Sequence, residues 1–124
     1  MSISIEVINN IIPLLSTIEE GLNHIKKQLA ELRYEEAFTL LQDSIMGIIT
    51  IEAALKPMEQ DIEALEKPEI IQAKQKLTLY MDEVITLYEN KRYEELGKKV
   101  QSLLDTFIIW KEALEIAIIP IVVS

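Results

Sequence analysis

The chain contains no cysteine, which rules out disulfide bridges, zinc–thiolate sites and thiol catalysis within it. Glycine and proline are scarce as well, with three and four among 124 residues, and an all-β chain needs more of them for its tight turns. Aromatic residues make up only 6% of the sequence, and the apolar content is mostly isoleucine and leucine. These scarcities point to an all-α protein with a largely aliphatic core.

Basic residues are the minority among the charged ones, because 12 Lys and Arg stand against 21 Asp and Glu, for a net charge of −9. A surface of that sign repels the phosphates of nucleic acids and of anionic membranes. The first basic residue is Lys26, so the N-terminus lacks the positive region that opens a secretory signal. We therefore expect a cytoplasmic protein that neither binds nucleic acid nor inserts stably into a membrane.

Apolar residues recur at alternating spacings of three and four, which places their side chains on one stripe of an α-helix. The first stripe consists of Ile8, Ile11, Leu15, Ile18, Leu22, Ile25, Leu29 and Leu32. It predicts a main helix from about Ile12 to Leu32, with residues 3–11 helical before it. Pro13 then lies either in the first turn of the main helix or at a kink in a longer one.

Three further helices follow from the same spacing. The second covers Tyr34–Leu55 and is ended by Pro57, and the apolar residues beside its stripe predict a broad buried face: Phe38, Leu40, Ile45, Met46 and Ile49. The third covers about Pro68–Glu89, and Asn90 is expected to end it because asparagine tolerates the left-handed conformation found at helix ends. The fourth begins at Tyr93.

A short string occurs twice, as "RYEEA" at residues 33–37 and "RYEEL" at residues 92–96. A shift of 59 aligns residues 33–55 with 92–114 without gaps, with 8 identities in 23 positions, and the apolar phase of the preceding helices also matches. The repeating unit is therefore a helix, a tight turn and a second helix. Two such αα-hairpins predict an all-α, antiparallel up-down-up-down four-helix bundle.

At 124 residues the chain has the size of a single domain, so we assign residues 1–124 to one helical bundle. Hairpin one covers about 3–56, an acidic connector bounded by two prolines covers 57–67, and hairpin two covers about 68–119. An apolar C-terminal tail occupies residues 116–124.

The tail ends in "LEIAIIPIVVS", which is too apolar for a disordered segment. Pro120 is expected to prevent a helix from running through it. Three arrangements are open: the tail folds back and caps its own bundle, it packs against a second copy or a partner, or it dips into a membrane surface. The predicted partner-binding residues are Trp110, Ile116, Ile118, Ile119, Ile121, Val122 and Val123.

No catalytic, cofactor or metal site is predicted. His24 is the only histidine, whereas a carboxylate di-iron bundle needs two Glu-x-x-His units pointing inward, so we expect His24 to be a solvated surface residue. The three glycines are isolated and form no phosphate loop. The sequence thus favours a non-catalytic interaction protein that binds a protein partner or itself as a homodimer. A bundle-core metal protein or enzyme and a membrane-surface protein are the alternatives.

Hairpins such as "IKKQLAELRYEEAFTLLQDSI" in an acidic chain of this size resemble the small flagellar export chaperones of type III secretion. That resemblance covers most of the chain. It implies a cytosolic all-α protein that holds a secreted subunit against a helical groove. It also suggests that the apolar tail is a built-in occupant of such a groove.

Overall fold

A computed structural model describes residues 3–123, and these residues form helices joined by short links without any strand. The four main helices are α1 (Ile5–Ala30), α2 (Tyr34–Leu55), α3 (Pro68–Glu89) and α4 (Tyr93–Val123). Helices α1 and α2 pack as one hairpin and α3 and α4 as the other, while α1 also packs against α4. The predicted all-α four-helix bundle is confirmed.

The buried apolar residues of the described chain are mostly aliphatic, and the two aromatic ones, Phe107 and Trp110, pack beside each other in α4. Every helix buries most of the stripe that its three-four spacing predicts. One exception is Leu32, the predicted end of the first stripe, which lies beyond the end of α1 at Ala30 and is 70% exposed. The buried residues of the two hairpins include Leu15, Leu22, Ile25, Leu41, Ile48 and Ile51 in the first, and Leu77, Val84, Leu96, Val100, Leu103 and Leu114 in the second.

Helix α1 runs without a break from Ile5 through Pro13, so the helical residues predicted before Pro13 and the main helix after it form one element, and Pro13 lies in a longer helix, which is one of its two predicted positions. The Ser4 hydroxyl caps it by accepting a hydrogen bond from the backbone N–H of Val7 at 3.2 Å. A proline inside a helix costs about 3 kcal/mol. Full burial of an isoleucine stabilises by about 1.5–3 kcal/mol, and both Ile8 and Ile11 are buried ahead of the proline. Packing therefore outweighs the interrupted hydrogen bond.

The prediction that Pro120 stops a helix is wrong, because α4 continues through it to Val123. Ala117 and Ile118 are buried just before the proline, and Ile121 and Val122 pack against the core after it. The proline lies in the last turns, where few backbone hydrogen bonds remain to be lost. The tail thus extends α4 along its own bundle instead of folding back over it.

Both hairpin turns close with the same backbone motif, in which the residue after the helix cap adopts a left-handed conformation. These residues are Leu32, with φ 62°, and Lys91, with φ 58°. The N–H of the next residue, Arg33 or Arg92, reaches back over the turn and donates to a helix carbonyl at 2.9 Å. The predicted helix terminator Asn90 has φ −89°, so the left-handed position is one residue later.

The repeated string acts at these turns. Tyr34 and Tyr93 begin α2 and α4, are half-buried, and stack on each other with ring centroids 3.9 Å apart and planes 10° from parallel. Each arginine of the string forms an ion pair with the glutamate three residues later, Arg33 with Glu36 and Arg92 with Glu95. The tyrosine stack therefore joins the two hairpins at the end where both turns lie.

The acidic connector packs against the bundle and is not a fully solvated segment. It forms two 3-10 turns, Lys56–Met58 and Glu63–Glu66, while its charged side chains stay largely at the surface. Met58, Ile62 and Leu65 are buried. These three residues are four and three positions apart, so they lie on one side of the connector, and that side faces the core.

Replacing Lys91 by glycine should raise the free energy of unfolding by about 1 kcal/mol, because a left-handed backbone is strained by a Cβ atom. The matched control is Asn90→Gly, next to it, where φ is negative and no strain is relieved. Chemical denaturation of the three proteins measures the difference. Equal stability of Lys91→Gly and Asn90→Gly would contradict the explanation.

Two helix glycines should respond differently to alanine. A Cβ on Gly97 meets nothing within 4 Å, so Gly97→Ala should stabilise α4 by about 0.8–1 kcal/mol through helix propensity. A Cβ on Gly47 would lie 2.9 Å from Cδ1 of the buried Ile18, so Gly47→Ala must displace that side chain where α1 and α2 approach. Thermal unfolding should rank Gly97→Ala above the parent and Gly47→Ala below Gly97→Ala.

Candidate functional site

The internal repeat relates two seams of the bundle. A shift of 59 carries α1 onto α3 and α2 onto α4, so the seam between α1 and α4 corresponds to the seam between α3 and α2. The backbones of α1 and α4 pack closely, whereas those of α2 and α3 approach far less over residues 3–123. We call the first the closed seam and the second the open seam.

Two rows of side chains face each other across the open seam. Phe38, Ile45 and Glu52 are seven residues apart and so share one side of α2. That side faces α3, because Phe38 stacks on Tyr88 with ring centroids 3.9 Å apart. Helix periodicity places the following residues along this seam: Phe38, Ile45, Ile49 and Glu52 of α2, and Ile71, Lys74, Thr78, Ile85 and Tyr88 of α3.

The open seam leaves apolar side chains exposed on both of its helices. Ile49 is 47% exposed on α2 and Ile71 is 45% exposed on α3, and Met46 is exposed on the neighbouring outer face of α2. No charged residue occurs in α2 between Asp43 and Glu52. This stretch of the surface is therefore apolar and nearly free of charge.

A cavity of about 480 Å³ lies at the connector end of the open seam. Leu65, Ile70 and Ile71 give it an apolar wall, while Glu59, Glu66 and Lys74 place charges around it. A much smaller recess of about 20 Å³ shares residues with it and reaches inward to Glu52 and Trp110. The seam thus ends in an opening that contains both apolar and acidic groups.

Glu52 is the charged group set most deeply in this seam. Its Oε1 atom is buried and has no hydrogen-bond partner among the described residues. Burial raises the pKa of the Glu52 carboxyl, Lys74 opposes that rise, and Glu59 adds to it. Lys74 is close enough to act on the charge, yet it forms no ion pair with Glu52 within 4.0 Å.

The corresponding place in the closed seam holds the opposite charge and is fully paired. Lys111 is the repeat partner of Glu52, and its Nζ lies 3.5 Å from Oε1 of Glu19 and 3.2 Å from Oε1 of Glu115. Burial would lower the pKa of the Lys111 ammonium, but these two carboxylates outweigh it and raise the pKa. Glu19 corresponds to Thr78 in the repeat, so the open seam lacks the matching ion pair.

The structure divides the residues that the sequence predicts to bind a partner. Trp110 is 1% exposed and Ile118 is 0% exposed, so both belong to the core and offer no surface. Ile121 and Val122 pack against the core, and Ile119 is partly exposed. Among the predicted residues, only Ile116 and Val123 are strongly exposed. Partner binding by the tail therefore remains a prediction for these few side chains.

Sequence reasoning missed the open seam, although its signal was present. The apolar residues beside the α2 stripe predicted a broad buried face, and instead part of that width, Ile49 and Met46, is exposed. A pattern of apolar residues shows which side of a helix is apolar. It does not show whether a neighbouring helix covers that side.

His24 is exposed, as predicted. Among residues 3–123 no three or more histidine, aspartate or glutamate side chains are grouped so that they could hold a metal ion. Within the same part of the chain, one segment, Tyr34–Met58, is long and apolar enough to cross a membrane by length and composition alone. In the bundle this segment is α2 with its following turn, and it lines both the core and the open seam.

The geometry places the chain among all-α four-helix bundles. Comparison with known families then identifies the family within this class. The chain belongs to the DUF8042 family, described as a domain of unknown function, whose family model matches residues 6–113. No curated protein and no solved structure was found to match it. The match contains the whole open seam and ends before the tail. It gives no link to flagellar export chaperones, so that resemblance remains a prediction.

Replacing Glu52 by glutamine should stabilise the bundle at neutral pH. A carboxyl whose pKa is raised by folding contributes stability below its unfolded pKa, near 4.5, and loses that contribution as the pH rises through the folded pKa. Glu52→Gln removes this loss, so its advantage over the parent should be largest at pH 7 and should vanish below about pH 4. Denaturation curves across this range measure it.

The control for this experiment is Glu20→Gln, on the exposed face of α1. It makes the same change in net charge without altering a buried group. If Glu20→Gln shows the same pH-dependent gain, the effect comes from overall charge and not from the burial of Glu52.

Proposed function

We propose that this protein is a non-catalytic binding bundle that holds an apolar helix of a protein partner in the open seam. The observation that carries the proposal is the difference between two repeat-related seams. One is closed by direct helix packing, and the other leaves isoleucine side chains exposed on both of its walls.

The shape of the seam suits a helix. The side chains of α2 and α3 form two antiparallel walls about 33 Å long, from 22 residues each at 1.5 Å per residue. An amphipathic helix that lays its apolar face between such walls is a common mode of peptide recognition. It would cover Ile49 and Ile71 and pack against half-buried Ile45 and Ile85, adding a fifth helix at the open seam.

The charge of the protein bears on what that helix belongs to. Two copies at −9 each repel one another, which disfavours a homodimer built on this face. The resemblance to flagellar export chaperones, which hold a secreted subunit against a helical groove, implies the same kind of activity in the cytoplasm. Both points support a different protein as the partner.

Binding of a synthetic amphipathic peptide tests the proposal. The peptide is about 20 residues long, the length of these helices, with leucines at i, i+3, i+4 and i+7 and a fluorescent label. Ile49→Ser and Ile71→Ser should each weaken binding about tenfold in fluorescence anisotropy, because each removes apolar contact area. Both positions are exposed in the free protein, so the variants should fold.

The matched control is Ile109→Ser, which removes an isoleucine of 58% exposure from α4, outside the open seam. Its affinity should equal that of the parent. Unchanged affinity of both seam variants, or a loss confined to Ile109→Ser, would contradict the proposed surface. A parent dimer in sedimentation that Ile49→Ser dissociates would make the occupant a second copy of this chain.

A further inference from the structure

The internal repeat allows the charged residues of the open seam to be compared with those of the closed seam. At one position of the closed seam, Lys111 of one helix meets Glu19 of the other at 3.5 Å. The same shift places Glu52 and Thr78 at the corresponding position of the open seam. A carboxylate therefore occupies the site of the ammonium, and a neutral hydroxyl occupies the site of the carboxylate.

Nothing within the described chain completes this position. Oε1 of Glu52 is buried without a hydrogen-bond partner, and the carboxylate forms none of the ion pairs of residues 3–123. Around the adjoining cavity and its inner recess, Glu52, Glu59 and Glu66 face a single cation, Lys74. The opening is thus acidic as well as apolar.

Covering the open seam would make the lack of an ion-pair partner for Glu52 more costly. A helix docked over Ile49 and Ile71 would shield Glu52 from the water that now solvates its exposed part. A carboxylate that is buried without a partner is strongly destabilising, whereas a paired and hydrogen-bonded one is tolerated. An occupant without a positive charge would therefore bind poorly at this position.

Resting on the proposed function, we infer that the partner helix brings a lysine or arginine that pairs with Glu52, so that the open seam selects a basic amphipathic helix. In the closed seam Lys111 supplies the positive charge of the ion pair. In the open seam that charge comes from the partner molecule. Either cation, lysine or arginine, would form a charge-assisted hydrogen bond with the carboxylate, which is stronger than a hydrogen bond between neutral groups. The acidic net charge of the protein favours the same partner by attracting it from a distance.

Two synthetic peptides test this inference. Both carry the same leucine stripe, and one has lysines at its flanking positions while the other has glutamates. The parent should bind the lysine peptide more tightly than the glutamate peptide. Part of this preference should come from the net charge of the protein, and the larger part should depend on Glu52. In Glu52→Gln this preference should fall about tenfold, which is the size expected for loss of a close charge pair. In Glu52→Lys it should fall further.

Glu20→Gln and Glu20→Lys are the controls, because they change the net charge equally at an exposed site on α1. They should reduce the preference only slightly, and added salt should remove that small effect. A preference that Glu52→Gln and Glu20→Gln alter equally would overturn the inference, and so would equal binding of both peptides by the parent. In both cases the proposed function stands. Failure of the parent to bind either peptide would instead overturn the proposed function.

Discussion

Burial of the isoleucine and leucine stripes against one another is the constraint on which the rest of the structure depends. It sets where the helices run even against local preference, since α1 passes through Pro13 and α4 through Pro120 with buried isoleucines on the core side. It also holds the irregular connector in place, because Met58, Ile62 and Leu65 insert into the same core. The unbroken three-four spacing of apolar residues therefore determines where these helices run more than a single proline or capping residue does.

The repeat gives the molecule an approximate symmetry that packing then breaks. The turns, the arginine–glutamate pairs and the stacked tyrosines are equivalent in the two hairpins. The seams are not equivalent, because the closed seam carries Lys111 between Glu19 and Glu115, and the open seam carries Glu52 without an ion-pair partner. The two seams thus differ in charge as well as in how closely their helices pack.

This asymmetry is what the proposed function uses. A single domain must bury one core, and an edge left open with apolar walls is stable only if the remaining core suffices without it. The exposed isoleucines of α2 and α3 and the poorly solvated carboxylate between them are costs to the free protein. The proposed docking of a helix that carries apolar and basic side chains would relieve both.

The four helices, the bundle and the internal repeat could be predicted from the sequence alone, because the spacing of apolar residues and the turn residues are local properties of the chain. The sequence predicted the bounds of α2 and α3 and the start of α4, and it left the position of Pro13 open. It was wrong about the passage of α4 through Pro120 and about the backbone conformation of Asn90, since burial energy and backbone conformation at those positions depend on neighbours. It placed partner binding on the tail, where Trp110 and Ile118 prove to be core. Only the tertiary structure decided which apolar side of α2 is covered and whether Glu52 has a partner, because both depend on distances between helices that no local pattern encodes.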